Sequence, residues 1–180
     1  MAAPDKPQLQ IANGKDSWFW VPAIATITAP TVAEMTAGTS LNISCYLFSD
    51  FEGVTGSTGK VTLPRLLCEV AQYESNDVTT YSSTDLDFAF SPQAAAATVG
   101  KKAWDKFKAG GLDGFLARRQ GVTADQATPE PVAGQFFDLI PTNIGAAIPG
   151  KTSTGSDGVY RATAPVAVTG KPAWNVAIVT

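Results

Sequence analysis

The chain contains no histidine. This absence removes the commonest general base, the commonest metal ligand and every Ser-His or Cys-His pair of nucleophilic catalysis. Only two cysteines are present, Cys45 and Cys68, each inside an apolar stretch and without C-x-x-C spacing. The sequence therefore predicts two small buried thiols, and a disulfide between neighbouring strands stays open. No catalytic residue, cofactor or metal site is predicted.

Charge is also scarce. Charged residues make up 16% of the chain, against roughly 25% in typical soluble proteins. The net charge of −3 argues against a nucleic-acid-binding protein, which carries a basic patch, whereas an acidic surface repels DNA. Few charges also indicate a surface that neighbouring subunits cover. The N-terminus has no hydrophobic signal region, and no apolar run approaches the ~18 residues of a membrane span, so we expect synthesis in a reducing cytoplasm.

Alternating apolar residues and Gly/Pro-rich turns predict a mainly β fold, a β-sandwich or barrel with one flanking α-helix. We expect one domain over residues 18–180, preceded by a flexible N-terminal arm over residues 1–17. The segments predicted as strands are "TSLNISCYLFS", "RLLCEVAQY", "DVTTYSSTDLDFAF", "GFLARRQGV", "GQFFDLIPT", "GVYRATAPVAVTG" and "PAWNVAIVT".

Helix signals occur at two places. The segment "SPQAAAATVGKKAWDKFKAGG" predicts one long helix, with Ser91 as N-cap, Pro92 at the first helical position and Gly110 or Gly111 as the stop. Near the N-terminus, Thr31 and Glu34 have the spacing of a capping box, which predicts a single helical turn.

Two segments are candidates for contacts between subunits. Trp18, Phe19 and Trp20 are adjacent, so a strand would point them to alternating faces, and they either anchor a neighbour or belong to a strand buried on both sides. Residues 49–64 predict a Gly/Ser/Thr-rich loop, long for a connection between strands and therefore functional. The predicted inter-subunit contacts are Trp18, Phe19, Trp20, Asp50, Phe51, Glu52 and Val54.

The stretch "GAAIPGKT", Gly145 to Thr152, fits the phosphate-binding pattern G-x-x-x-x-G-K-[ST]. A genuine phosphate loop leads into a helix whose N-terminus binds the phosphates. Here "TSTGSDGVYRAT" follows, which predicts a turn and then a strand, and no acidic residue after Asp157 is present to hold a metal. We interpret the match as a flexible Gly/Thr connection; a nucleotide enzyme would be stabilised by ATP and magnesium.

Two further pairs of charged residues are candidates for sites. Asp85 and Asp87 share one face of a predicted strand, as a pair of glycosidase carboxylates could, but a solvated acidic face is the simpler interpretation. Arg118 and Arg119 are adjacent, so on a strand they point to opposite faces and do not clamp one phosphate.

In order and spacing, a set of landmarks resembles the major tail tube proteins of long-tailed phages with non-contractile tails. These are "VPAIATITAPTVAEMTAGTSLNISCYL", the long loop, "LPRLLCEVAQYES", "DLDFAFSPQ" before the helix, "AGGLDGFLARRQGV", "GQFFDLIPT" and "VAVTGKPAWNVAIV". The resemblance covers roughly residues 20–180. The chain departs from the family's Arg-Arg-Gly pattern by having Gln120 between Arg119 and Gly121.

The resemblance implies a structural virion protein located in the tail. It implies hexameric rings that stack into a tube, through which genomic DNA passes without specific binding. The implied partners are other copies of the chain, the tape measure protein, the tail terminator and the tail tip proteins. The loop over 49–64 is the natural arm toward the next ring or subunit.

Our hypothesis for the tube lumen uses an acidic stretch without basic residues. Its members are Glu74, Asp77, Asp85 and Asp87. A negative wall repels DNA phosphates, so the duplex slides. The alternative is a face that meets solvent or a neighbour.

A second function stays open at this stage, a monomeric virion decoration or carbohydrate-binding β-sandwich module. Such a module exposes aromatic residues as a sugar platform, and Trp104, Trp174 and Tyr160 are candidates.

Overall fold

The computed structural model describes residues 14–49, 51–68, 70–122, 130–156 and 158–180. The prediction of a mainly β fold is confirmed, and the described helices are short. In chain order the elements are β1 (Asp16–Val21), α1 (Val32–Met35), β2 (Leu41–Asn42), β3 (Val54–Thr62), β4 (Glu74–Ser83), β5 (Leu86–Ala89), α2 (Lys102–Phe107), β6 (Leu112–Gln120), β7 (Phe136–Ile144), β8 (Ile148–Lys151), β9 (Tyr160–Ala164), β10 (Val166–Val168) and β11 (Ala173–Ala177).

The larger sheet is antiparallel, in the order β10-β7-β6-β1-β2, with β11 also paired to β7. Strand β1 lies between β6 and β2 and is apolar on both faces. Trp18 and Trp20 point into one core, whereas Phe19 and Val21 point into another. Of the two interpretations of the aromatic run, the structure therefore shows a strand buried on both sides.

The two cores lie on opposite faces of this sheet. The first is bounded by the smaller sheet β5-β9-β8, through Leu86, Phe88 and Ala162, and by Phe107 of α2. The second collects Met35 of α1 and side chains of β7 and the C-terminal residues. Strand β1 begins at Asp16, two residues before the predicted domain start, and residues 1–13 of the predicted arm lie outside the described part of the chain.

The capping box at α1 is confirmed. The Glu34 N–H donates to Thr31 Oγ1 at 3.2 Å, and the Glu34 carboxylate accepts from the Thr31 N–H at 2.8 Å. The same carboxylate accepts from the Ala25 N–H at 2.7 Å, which ties the preceding turn to the helix. The hydrogen bonds from Ala25 and Thr31 hold the pKa of Glu34 below its ordinary value of 4.5, because they stabilise the ionised form.

The prediction of a helix starting at Ser91 is wrong: α2 begins at Lys102, and turns precede it. Ala97 has a left-handed φ of 60°, and its N–H donates to the Asp105 carboxylate at 3.0 Å, which also lowers the pKa of Asp105. Val99, in the segment before α2, is 80% exposed. Without a core surface to cover, and with Gly100 at its end, this half of the segment gains no packing to stabilise a helix.

Two predicted strands also fail. After β2, the Asn42 side chain accepts from the N–H and hydroxyl of Ser44, closing a turn that ends the strand at Asn42. The segment "RLLCEVAQY" lies in the loop between β3 and β4, where it joins no sheet. Consequently Cys45 and Cys68, predicted to be buried, are both exposed and free.

The segment predicted as a loop over residues 49–64 is mostly strand. Its residues from Val54 to Thr62 form β3, which pairs with β4 in a separate two-stranded hairpin. The long strand predicted over "DVTTYSSTDLDFAF" is divided at Thr84 and Asp85 into β4 and β5. The chain thus consists of a two-sheet body and a hairpin that projects from it.

Candidate functional site

Most residues of the projecting hairpin, formed by β3 and β4, pack into neither core. All of β3 beyond Val54 and all of β4 up to Thr80 are exposed. Cross-strand hydroxyl pairs line it, Thr55 with Ser82 at 3.1 Å and Thr58 with Thr79 at 2.8 Å. Nine residues of strand extend about 30 Å, so the far end stands well away from the body.

The loop at the far end carries an apolar cluster, which we call the tip. Its exposed members include Leu67 at 110% and Val70 at 96% of full exposure. The large apolar side chains exposed in the described part of this loop are Leu63, Leu66, Leu67, Val70 and Tyr73. Several exposed apolar side chains in one loop suit an interaction surface, because their hydration is unfavourable. The tip is therefore a candidate contact surface.

The hairpin leaves the body at a tightly packed root around Gly53. The Gly53 carbonyl accepts from the Thr84 N–H at 3.0 Å and from the hydroxyls of Ser83 and Thr84 at 3.4 and 3.3 Å. Gly53 has a φ of +80° and lies against the ring of Trp18. Trp18 in turn meets Phe51 edge-to-face, with ring centroids 4.9 Å apart. The root is thus fixed by both hydrogen bonds and ring packing.

The predicted inter-subunit residues lie mainly at this root. Trp18, Phe19 and Trp20 are buried inside the chain, at 6%, 3% and 2% exposure. Phe51 and Val54 are half-buried against the first core. Among the remaining predictions, Glu52 is exposed and Asp50 lies outside the described residues. The exposure of the tip leucines was not predicted, because their alternation indicated a buried strand.

The four predicted lumen carboxylates do not form one cluster. Glu74 pairs with Lys60 at 3.6 Å at the far end of the hairpin, and both side chains are largely exposed. Asp87 lies on β5, where it accepts from Arg161 Nη1 at 2.7 Å and from the Thr163 hydroxyl. About 40 Å of extended chain separates these two acids along the sequence, so their charges act in different places.

Asp77 and Asp85 complete this set. Both are exposed, and neither has an ion pair within the described residues. Asp77 is on β4, and Asp85 lies in the break between β4 and β5.

The phosphate-loop match lies in the smaller sheet. Lys151 ends β8, which pairs with β9, and Thr152 and Val159 bond to each other across the following turn. No helix begins after Lys151 in the described part of the chain, so the backbone N–H groups that would bind phosphates are not arranged there. The interpretation of the match as a coincidence of sequence agrees with this geometry, although Ile148–Lys151 is a strand rather than a flexible connection.

Arg118 and Arg119 point to opposite faces, as predicted. Arg118 pairs with Asp16 at 2.6 Å. Arg119 is 1% exposed and donates to the Gln135 side chain at 3.1 Å and the Ser17 hydroxyl at 3.4 Å. Burial lowers the pKa of Arg119, since it disfavours the charged form. Both side chains join β6 to its neighbours and leave no shared anion site.

Within the described residues, no group of three or more His, Cys, Asp or Glu side chains is placed to hold a metal ion. No helix in the same part of the chain is long and apolar enough to cross a membrane. The molecule is defined instead by a two-sheet body with a projecting, apolar-tipped hairpin. The exposed apolar tip makes this hairpin a candidate surface for contact with other proteins, as a structural protein would carry.

The comparison with protein families agrees with this class. The family described as "Phage tail tube protein" matches residues 3–180, nearly the whole chain, and the chain belongs to this family. The family is structural and not enzymatic, and it implies a location in the virion tail. A search of the curated proteins found no match.

Proposed function

We propose that the chain forms hexameric rings that stack into the phage tail tube, the conduit for DNA ejection. The observation that carries the proposal is the hairpin with its exposed apolar tip. An isolated two-stranded hairpin is marginally stable in water, and its two edges offer unpaired N–H and C=O groups to other strands. A neighbouring subunit that packs on the tip and edges stabilises the hairpin and pairs these backbone groups. Residues 18–180, together with Asp16 and Ser17 of β1, act as one domain in this assembly.

The hairpin takes the role proposed for residues 49–64, as the arm that reaches the next ring or subunit. The proposed contact surface includes the tip leucines and, as separate contributions, Glu52 and Asp50. Trp18 contributes indirectly, because Gly53 at the root of the arm packs against its ring, and Phe19 and Trp20 belong to the same buried strand.

Four acidic side chains are proposed to line the lumen, and two of them have no ion pair within the described residues. Asp77 and Asp85 are exposed, whereas Arg161 balances Asp87 and Lys60 balances Glu74. We expect Asp77→Lys with Asp85→Lys to form tubes in phage that eject DNA poorly. The control is Asp113→Lys on β6, which makes the same type of substitution once, at an exposed site in the body. Normal ejection by the double variant would remove these residues from the lumen.

The partners proposed from this role are other copies of the chain along the tube, the tape measure protein inside it, the tail terminator at one end and the tail tip proteins at the other. Genomic DNA passes through without specific binding.

Negative-stain electron microscopy across a concentration series tests the assembly. We expect rings or hollow tubes of uniform width, and the double variant Leu66→Ser with Leu67→Ser should not form them. Val99→Ser is the matched control, because Val99 is an exposed apolar residue 80% accessible on the body. In assembled material, the Cys68 thiol at the tip should react more slowly with a thiol reagent than in the free subunit. Equal reaction rates would contradict a tip contact.

One observation favours the second candidate, a monomeric decoration or carbohydrate-binding module. Trp174 and Tyr160 are 48% and 51% exposed, as a sugar platform requires. Monodisperse monomers at every concentration, together with binding to a glycan array that Trp174→Ala abolishes, would favour that module over the tube.

A further inference from the structure

Beside the hairpin, strand β11 contains a β-bulge. Ala173 pairs with Leu139 and Val176 pairs with Phe137, so Trp174 and Asn175 together oppose the single residue Asp138. Asn175 has a left-handed φ of 52°, and its N–H donates to the Asp138 carboxylate at 2.8 Å. A bulge re-aims the side chains next to it.

The bulge brings Trp174 against the hairpin. Its ring lies 6.5 Å from the ring of Tyr81 on β4, at an interplanar angle of 48°. Tyr81 faces Gly56 on the opposite strand, and a Cβ on Gly56 would lie 3.2 Å from the Tyr81 ring. Tyr81 is the residue of β4 nearest the tip that is not exposed, because every residue from Glu74 to Thr80 is exposed.

The arm therefore meets the body at the root at Gly53, beside strand β10, and at the contact between Tyr81 and Trp174. We propose that Trp174 is a positioning residue, which sets the angle at which the hairpin leaves the body and so aims the tip at a neighbouring subunit. The inference rests on the proposed function, in which the hairpin makes the contact between subunits.

The contact between Tyr81 and Trp174 matters because a small displacement near the root is magnified at the far end of the hairpin. Tyr81 is two residues from the end of β4 at the root, about 7 Å, whereas Glu74 is nine residues away, about 30 Å. A displacement of about 1 Å at Tyr81 thus becomes about 4 Å at the far end. Trp174 is 48% exposed and belongs to neither core, so its contribution to folding is small compared with its effect on the arm.

The test measures the arm directly in the free subunit. Cys45 on the body is exposed and accepts one spin label. Thr62→Cys, at the end of β3, accepts the second in a Cys68→Ser background. We expect a narrow distribution of distances between the two labels, and Trp174→Ala should broaden it or shift its mean by about 4 Å. Trp174→Tyr should restore the narrow distribution, and Tyr81→Ser should reproduce the effect from the other side of the contact.

Trp104→Ala is the matched control. Trp104 also makes one aromatic contact, stacked on Phe90 at 5.0 Å, but it lies on α2. The label distances should not change in this variant. An unchanged distribution in both Trp174→Ala and Tyr81→Ser would overturn the inference.

Tube assembly of the same variants separates the two proposals. We expect Trp174→Ala to lose tubes and Trp174→Tyr to keep them, with both subunits folded. If Trp174→Ala changes the label distances and still forms tubes at the wild-type rate, the positioning role stands, and the proposed contact through the hairpin fails.

Discussion

Gly53 at the root of the hairpin allows a sharp test of the packing described above. In Gly53→Ala, the new Cβ would lie 2.5 Å from Cζ2 of Trp18 and closer still to Cη2. The Trp18 ring cannot withdraw easily, because it is 6% exposed and packs edge-to-face on Phe51. The substitution also places an L-residue at a φ of +80°.

Two energetic costs add in this variant. A left-handed backbone costs a residue other than glycine about 1 kcal/mol. Forcing a methyl group into a filled core costs about 1–3 kcal/mol more. We therefore expect Gly53→Ala to lose about 2–4 kcal/mol of folding free energy. For a chain of this size that corresponds to a melting temperature lower by about 5–15 °C.

Two other glycines separate these costs when melting is followed by circular dichroism. Gly134 has a φ of +84°, and a Cβ added there would have nothing within 4 Å, so Gly134→Ala has only the backbone cost of about 1 kcal/mol. Gly38 has open space and an ordinary φ, so Gly38→Ala should change stability by less than about 0.5 kcal/mol. If Gly53→Ala and Gly134→Ala melt at the same temperature, the steric argument at Trp18 is refuted.

Three further predictions concern titration, thiols and the small sheet. The lowered pKa of Glu34 means that its ionised form stabilises the fold fully above pH 4.5, and this stability is lost as pH falls through the folded-state pKa. The difference in melting temperature between wild type and Glu34→Gln should therefore shrink as the pH falls below 4.5, and a constant difference would contradict the capping geometry. Cys45 and Cys68 should both react with a thiol reagent in the native free subunit, and a thiol that reacts only after denaturation would disprove its exposure. Asp87→Ala leaves two partly buried donors without their acceptor and should lower the free energy of unfolding, measured by chemical denaturation, by about 1–3 kcal/mol. Asp85→Ala, at the exposed neighbouring position, should lower it by less than about 0.5 kcal/mol. Equal losses in the two variants would contradict the ion pair.

Local sequence patterns predicted the structure correctly where backbone groups form their hydrogen bonds with residues a few positions away. The capping box of Thr31 and Glu34 needs only three residues, and it forms as predicted. The apolar alternation of "GFLARRQGV" and "GQFFDLIPT" predicted β6 and β7, because both strands lie inside the larger sheet and bury one or both faces. These signals, with the order of the landmarks, led to the family.

Tertiary structure decided the elements whose environment is not local. The segment from Ser91 resembles a helix, but only its second half, with Ala103 and Phe107, reaches the first core. The leucines of "RLLCEVAQY" alternate like those of a buried strand, yet the hairpin carries them away from any sheet. In β3 the Val and Thr residues favour a strand, but the Gly and Ser residues of the same segment led to the prediction of a loop.

The sequence by itself determined the fold class, the capped turn, strands β6 and β7 of the larger sheet and the absence of histidine, because these depend on composition and on neighbours a few residues apart. Only the tertiary structure decided that the aromatic run is internal, that Arg161 balances Asp87, and that an apolar tip stands on a projecting arm. These properties depend on residues such as Asp87 and Arg161, 74 positions apart in the chain, and no spacing rule specifies which distant side chains meet.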